Sequence, residues 1–102
     1  MPQLTIVYWR DMPAQVIVKQ GRQAAKRQLP ERFEQAIDMA AMKAGKRDTD
    51  AYLAEWRKSE PTQLDGEDLE ALVEAEAKRL EAAFPQDRLV ALANAGGVLS
   101  GN

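Results

Sequence analysis

Two short runs near the N-terminus, LTIVYW at residues 4–9 and QVIVK at residues 15–19, constrain this chain more than any other feature. β-Branched and aromatic side chains at that density suit a pleated, half-buried surface. The intervening Arg10-Asp11-Met12-Pro13-Ala14 supplies turn chemistry through Asp11 and Pro13, so a β-hairpin with a five-residue loop is expected. Alternation places Leu4, Ile6 and Tyr8 on one face of the first strand and Thr5, Val7 and Trp9 on the other. Neither face is plainly polar, which predicts cover on both sides. A lone hairpin is marginal in water, so helices or a third strand must pack on it.

The rest of the chain reads mainly as helix. After Gly21, residues 22–29 (RQAAKRQL) read as a helical turn or a loop. Pro30 suits a first helical position, and Phe33, Ile37, Ala40, Ala41 and Ala44 recur at helical spacing as far as Gly45, predicting a helix over 30–44. A second helix is expected from a cap at Asp48 or Thr49 to about Lys58, with Tyr52, Leu53 and Trp56 as its apolar face. Pro61 to Leu64 leaves room for a short strand against the hairpin edge. Asp65 can cap a third helix with the stripe Leu69, Leu72, Val73, Ala77, Leu80 and Phe84. Pro85 breaks it, and a fourth helix over 86–94 turns Leu89, Leu92 and Ala93 inward before Gly96-Gly97 stops it. The expected fold is therefore α+β: an N-terminal β-hairpin, with room for a short third strand, packed against about four α-helices. Residues 1–95 form the single domain and residues 96–102 a flexible C-terminal tail.

Composition removes most chemistry. At 102 residues the chain supports one core, burying roughly two-thirds of the surface its unfolded form exposes. It has no cysteine and no histidine, which excludes thiolate nucleophiles, disulfides, thiolate metal sites and the commonest general base and metal ligand. No catalytic residues, metal site or cofactor are expected. MPQLTIVYW lacks the charged start and cleavage site of a signal peptide, and no apolar run approaches the roughly eighteen residues a membrane span needs. A cytoplasmic protein without a membrane partner is the expectation.

The net charge of −2 hides an asymmetry: residues 1–60 sum to +3 and residues 61–102 to −5. Lys19, Arg22, Lys26, Arg27 and Arg32 face a single acid, Glu31, within one stretch. They could grip phosphates or a carboxylate-rich partner, or be neutralised by the chain's own acidic helix. An acidic domain without aromatic residues interleaved among its cations disfavours nucleic acid. Trp9-Arg10, at a strand end, forms a second candidate contact, since such a pair joins apolar area to a donor fork. Met39 and Met42 could flank an adaptable surface. The carboxylates Glu67, Asp68, Glu70, Glu74, Glu76 and Glu81 lie on a helix with nothing to bury them, so a catalytic role is not expected of them.

The blocks LTIVYWRDMPAQVIVK, GRQAAKRQLPERFEQAIDMAAM and TDAYLAEWRKSEP resemble the small bacterial virulence factor family, related to a domain of conserved virulence factor C. The similarity runs from about Leu4 to Leu92. The resemblance implies an accessory role in one-carbon or methionine metabolism, because short members are often encoded beside methylenetetrahydrofolate reductase and corrinoid-dependent methyltransferase components. It supplies no catalytic residues. Taken together, the expectation is a non-enzymatic accessory protein that uses Trp9, Arg10, Lys19, Arg22, Lys26, Arg27 and Arg32 to contact a protein partner or a small anionic ligand. The alternatives are a small enzyme or cofactor-handling subunit working with Arg, Lys, Tyr and carboxylates, and a purely structural subunit of a larger complex. Residue chemistry leaves the partner's identity and the oligomeric state open.

Overall fold

The computed structural model describes residues 1–46 and 48–98. In chain order the elements are β1 (Gln3–Trp9), β2 (Met12–Gln20), β3 (Gln23–Gln28), α1 (Glu31–Lys43), α2 (Thr49–Leu53), β4 (Trp56–Lys58), β5 (Thr62–Gln63), α3 (Leu69–Ala83) and α4 (Gln86–Asn94). The α+β expectation holds. The sheet runs β3-β2-β1-β4, with β5 pairing the far end of β1, and every pairing is antiparallel.

The hairpin differs from the sequence reading in its turn. Trp9 pairs with Met12, so the loop is only Arg10-Asp11, and Met12-Pro13-Ala14 already belongs to β2. Arg10 adopts φ 55°, a left-handed conformation that suits so tight a reversal. Ala14 is the extra residue of a β-bulge opposite Val7 and Tyr8. Bulges raise local twist and re-aim side chains. At this bulge the burial pattern of β1 changes: Leu4 and Ile6 are buried before it, and Trp9 rather than Tyr8 is fully buried after it.

Residues 23–28 form a full strand rather than a helical turn or loop. Gln15 to Gln20 of β2 pair with Gln28 to Gln23, and Leu29 N–H donates to the carbonyl of the bulged Ala14 (3.0 Å). The expected second helix also stops early. It ends at Leu53, and Trp56–Lys58 turn into β4 along the open edge of β1, leaving Leu53 exposed rather than on an inward face. The short strand expected between Pro61 and Leu64 is β5, paired at Gln3–Leu4. Between β4 and β5, Ser59 completes the edge: its N–H donates to Ile6 O and its Oγ accepts from Ile6 N–H, both at 2.9 Å. β4, Ser59 and β5 together thus cover the edge of β1 opposite β2, and the sheet ends at β3 on one side and at β4 and β5 on the other.

Three helices follow the sequence reading closely. α1 buries Phe33, Ala36, Ile37, Ala40 and Ala41, and α4 buries Leu89, Leu92 and Ala93. In α3, Leu69, Val73, Ala77 and Leu80 are buried, but the cap is Asp68, not Asp65: its carboxylate accepts from Ala71 N–H at 3.2 Å. α3 lies across β2 and β3, while α1 touches β2 and pairs with α4. One core cluster joins Leu4, Ile6, Trp9, Val16 and Val18 of the sheet to these helices. The expected tail starts at residue 96, yet Gly96 and Gly97 are buried. Its last part, residues 99–102, lies outside the described residues.

Candidate functional site: a lysine-bearing sheet face

The alternation that sends Leu4, Ile6, Val16 and Val18 into the core sends their neighbours to the opposite face of the sheet. Cross-strand register assembles that outer face: Thr5, Ile17 and Lys26 share one row, Gln3, Lys19 and Ala24 the next, and Lys58 lies opposite Val7. Ile17 is 8 % exposed although it is not part of the core cluster, so its own neighbours on this face cover it. A shallow depression of about 480 Å3 surrounds it, bordered by Thr5, Lys19, Gly21, Lys58 and Pro61. No carboxylate occurs among the strand residues of this face.

The basic segment is divided by this geometry. Lys19 and Lys26 point outward on the open face, and Arg22 stands exposed in the tight turn beside Gly21. Lys58, which the sequence reading places in a helix, joins them. None of these four has an ion-pair partner among the described residues. Arg27, one residue from Lys26, has the opposite parity, and its Nη2 lies 2.6 Å from Glu74 Oε1 on α3. Arg32 is engaged internally too: its guanidinium sits over the Phe33 ring and donates to Glu81 O (3.0 Å) at the C-terminal end of α3. Unsatisfied carbonyls collect at a helix C-terminus, and a cation there is favourable.

Trp9 and Arg10 lie apart from this face. Trp9 is 0 % exposed, donates its indole N–H to Tyr52 O (3.0 Å) and stacks on the Tyr52 ring, so it is core and presents no surface to a partner. Arg10 is held through its backbone and its guanidinium alike. Its N–H donates to Glu55 O, Nη1 to Gly96 O (3.0 Å), and Nε pairs with Glu55 Oε1 (3.2 Å), while its carbonyl accepts from Arg57 Nε (2.8 Å). The hydrogen bond from Arg10, together with Lys46 at 3.5 Å, holds the Glu55 carboxyl below its usual range. Gly97 closes the arrangement: its carbonyl accepts from Asp11 N–H (2.9 Å), and a Cβ there would lie 3.0 Å from the Trp9 ring. The pair clamps the hairpin to the end of α4.

A second concavity, of about 280 Å3, opens elsewhere, lined by Ala14, Gln28, Leu29, Glu34, Ile37, Asp38, Tyr52 and Trp56. Burial, with Asp38 and Glu34 adding to it, pushes the Tyr52 phenol up from its ordinary value. An enzyme built from Arg, Lys, Tyr and carboxylates needs those groups in one pocket. Lys19 and Lys58 border the depression on the sheet face, Tyr52, Glu34 and Asp38 line this second cavity, and Lys46 meets Asp38 and Tyr52 in a neighbouring depression, its ammonium 3.5 Å from Glu55 Oε2. No group of three or more acidic, histidine or cysteine side chains among the described residues is arranged to hold a metal ion, and no described helix is long and apolar enough to cross a membrane.

No curated protein and no solved structure matches the chain significantly. A family model does, over residues 7–93, a span that contains most of the hairpin, β3 and all four helices apart from the last residue of α4. The chain belongs to the virulence factor family.

Proposed function

We propose that this protein is a non-enzymatic accessory protein whose outer sheet face receives a carboxylate-rich protein partner or a small anionic ligand. The observation that carries the reading is the set of cations without an ion-pair partner among the described residues on a face whose strand residues carry no carboxylate: Lys19, Lys26 and Lys58, with Arg22 at its rim. Strand pairing fixes their backbones, so binding orders only their side chains. Charges of one sign on a rigid surface also speed encounter with an oppositely charged partner. Arg27 and Arg32 belong to the fold in this reading, as do Trp9 and Arg10. The one-carbon setting implied by the family resemblance makes methyl-transfer components the first partners to try.

The test is affinity capture from the native cell with mass-spectrometric identification, comparing the wild type with the triple variant K19E/K26E/K58E. The captured partner should be lost in the variant while the thermal midpoint stays close to that of the wild type. A partner retained by the folded triple variant would rule this surface out.

A further inference from the structure

The concavity of about 280 Å3 between α1, α2 and the start of β4 combines features that the lysine face lacks. Its floor is aliphatic, from Leu29 and Ile37, and one wall is aromatic, with the Tyr52 and Trp56 rings edge-to-face at 6.0 Å. Glu34 and Asp38 stand at its rim, one turn apart on α1, and both are exposed. Neither has an ion-pair partner among the described residues. A basic residue does approach along this surface: Lys46 borders a neighbouring depression that also touches Asp38 and Tyr52, but its ammonium is engaged by Glu55 at 3.5 Å.

We propose that this cavity is a binding site for a small organic cation, an alkylammonium or guanidinium head with a short apolar stem. Aromatic faces carry negative quadrupole potential and attract such heads, and two unneutralised carboxylates add to the same field. The stem is accommodated by Leu29 and Ile37, whereas an anion would meet repulsion from both acids. The raised Tyr52 phenol is consistent with that negative field, since Asp38 and Glu34 contribute to it after burial. The volume lies just under the usual range for drug-sized ligands, as suits one cationic head and a few methylenes.

The test follows the indole N–H resonance of Trp56 by NMR in the whole protein, assigned against W56F, during titration with n-butylammonium, n-butanol and butyrate. Butylammonium should give a saturable shift at Trp56, with butanol and butyrate about tenfold weaker or silent. In E34Q/D38N, whose substituted side chains are exposed, butylammonium should fall to the level of butanol. Equal binding of butanol and butylammonium, an unaffected E34Q/D38N titration, or no saturable shift at Trp56 would each overturn the proposal. A capped lysine amide adds a second arm. If it binds as well as butylammonium, the cation can come from a partner's side chain; if it is excluded, the site takes free small cations.

Discussion

Lys26 and Arg27 are adjacent in sequence and opposite in orientation. One projects from β3 onto the open face of the sheet with no ion-pair partner among the described residues; the other lies on the α3 side and meets Glu74. The period of two along a strand makes this division, since each step along the backbone crosses the sheet. A cationic stretch in a strand is therefore two sets of charges on opposite faces. Arg27 pairs with α3 within the fold, whereas Lys26 has no ion-pair partner among the described residues.

That division can be broken first where the internal side is tightest. Gly97 has φ +84°, and a methyl group on its Cα would sit only 3.0 Å from the Trp9 ring, so Gly97→Ala must strain the backbone and displace a fully buried indole. A loss of about 1–3 kcal/mol in chemical denaturation is expected. If G97A unfolds like the wild type, the clamp between the hairpin and the end of α4 is not a determinant of stability.

Reversal of Arg27 tests the same division more gently. R27E removes the Glu74 pair and sets like charges together, but both side chains are substantially exposed, so at most about 1 kcal/mol should be lost. Partner capture should survive, in contrast to reversal of the outward lysines. Loss of capture in a folded R27E would merge the two sets of charges.

Acid sharpens the contrast further. Glu55 is held below its ordinary value of 4.5, first by the hydrogen bond from Arg10, so the folded state favours its carboxylate. Its contribution is present above that ordinary value and is lost as pH falls through the lower folded one. E55Q should therefore show a shallower decline in thermal midpoint below about pH 4.5 than the wild type. Identical acid limbs would remove Glu55 from the clamp's energetics.

These contrasts also explain which parts are legible in the sequence. α1, α3 and α4 carry their own periodicity and punctuation, at Pro30, Pro85 and Gly96-Gly97, and β1 and β2 carry β-branched density. QAAKRQ carries neither, and buries only Ala25; it becomes β3 because β2 offers an edge, a tertiary cause that local propensity does not record. Without β3 as a strand, the parity of Lys26 and Arg27 stays hidden. Trp56-Arg57-Lys58 extends the apolar spacing of Tyr52 and Leu53, so it reads as helix until the edge of β1 claims it, and Lys58 escapes notice for that reason. Trp9 reads as a surface anchor beside Arg10, but the bulge at Ala14 accompanies its turn into the core. The Tyr52–Trp56 cavity joins residues from separate elements, and no local pattern announces it.

The most direct test compares two charge reversals in one binding assay: K19E/K26E/K58E against R27E, each with its thermal midpoint measured alongside. The division of the basic residues by sheet face predicts that the triple variant loses the partner with little change in midpoint, while R27E keeps the partner with a small loss of stability. Partner binding that survives in the triple variant, or disappears in a folded R27E, would contradict it.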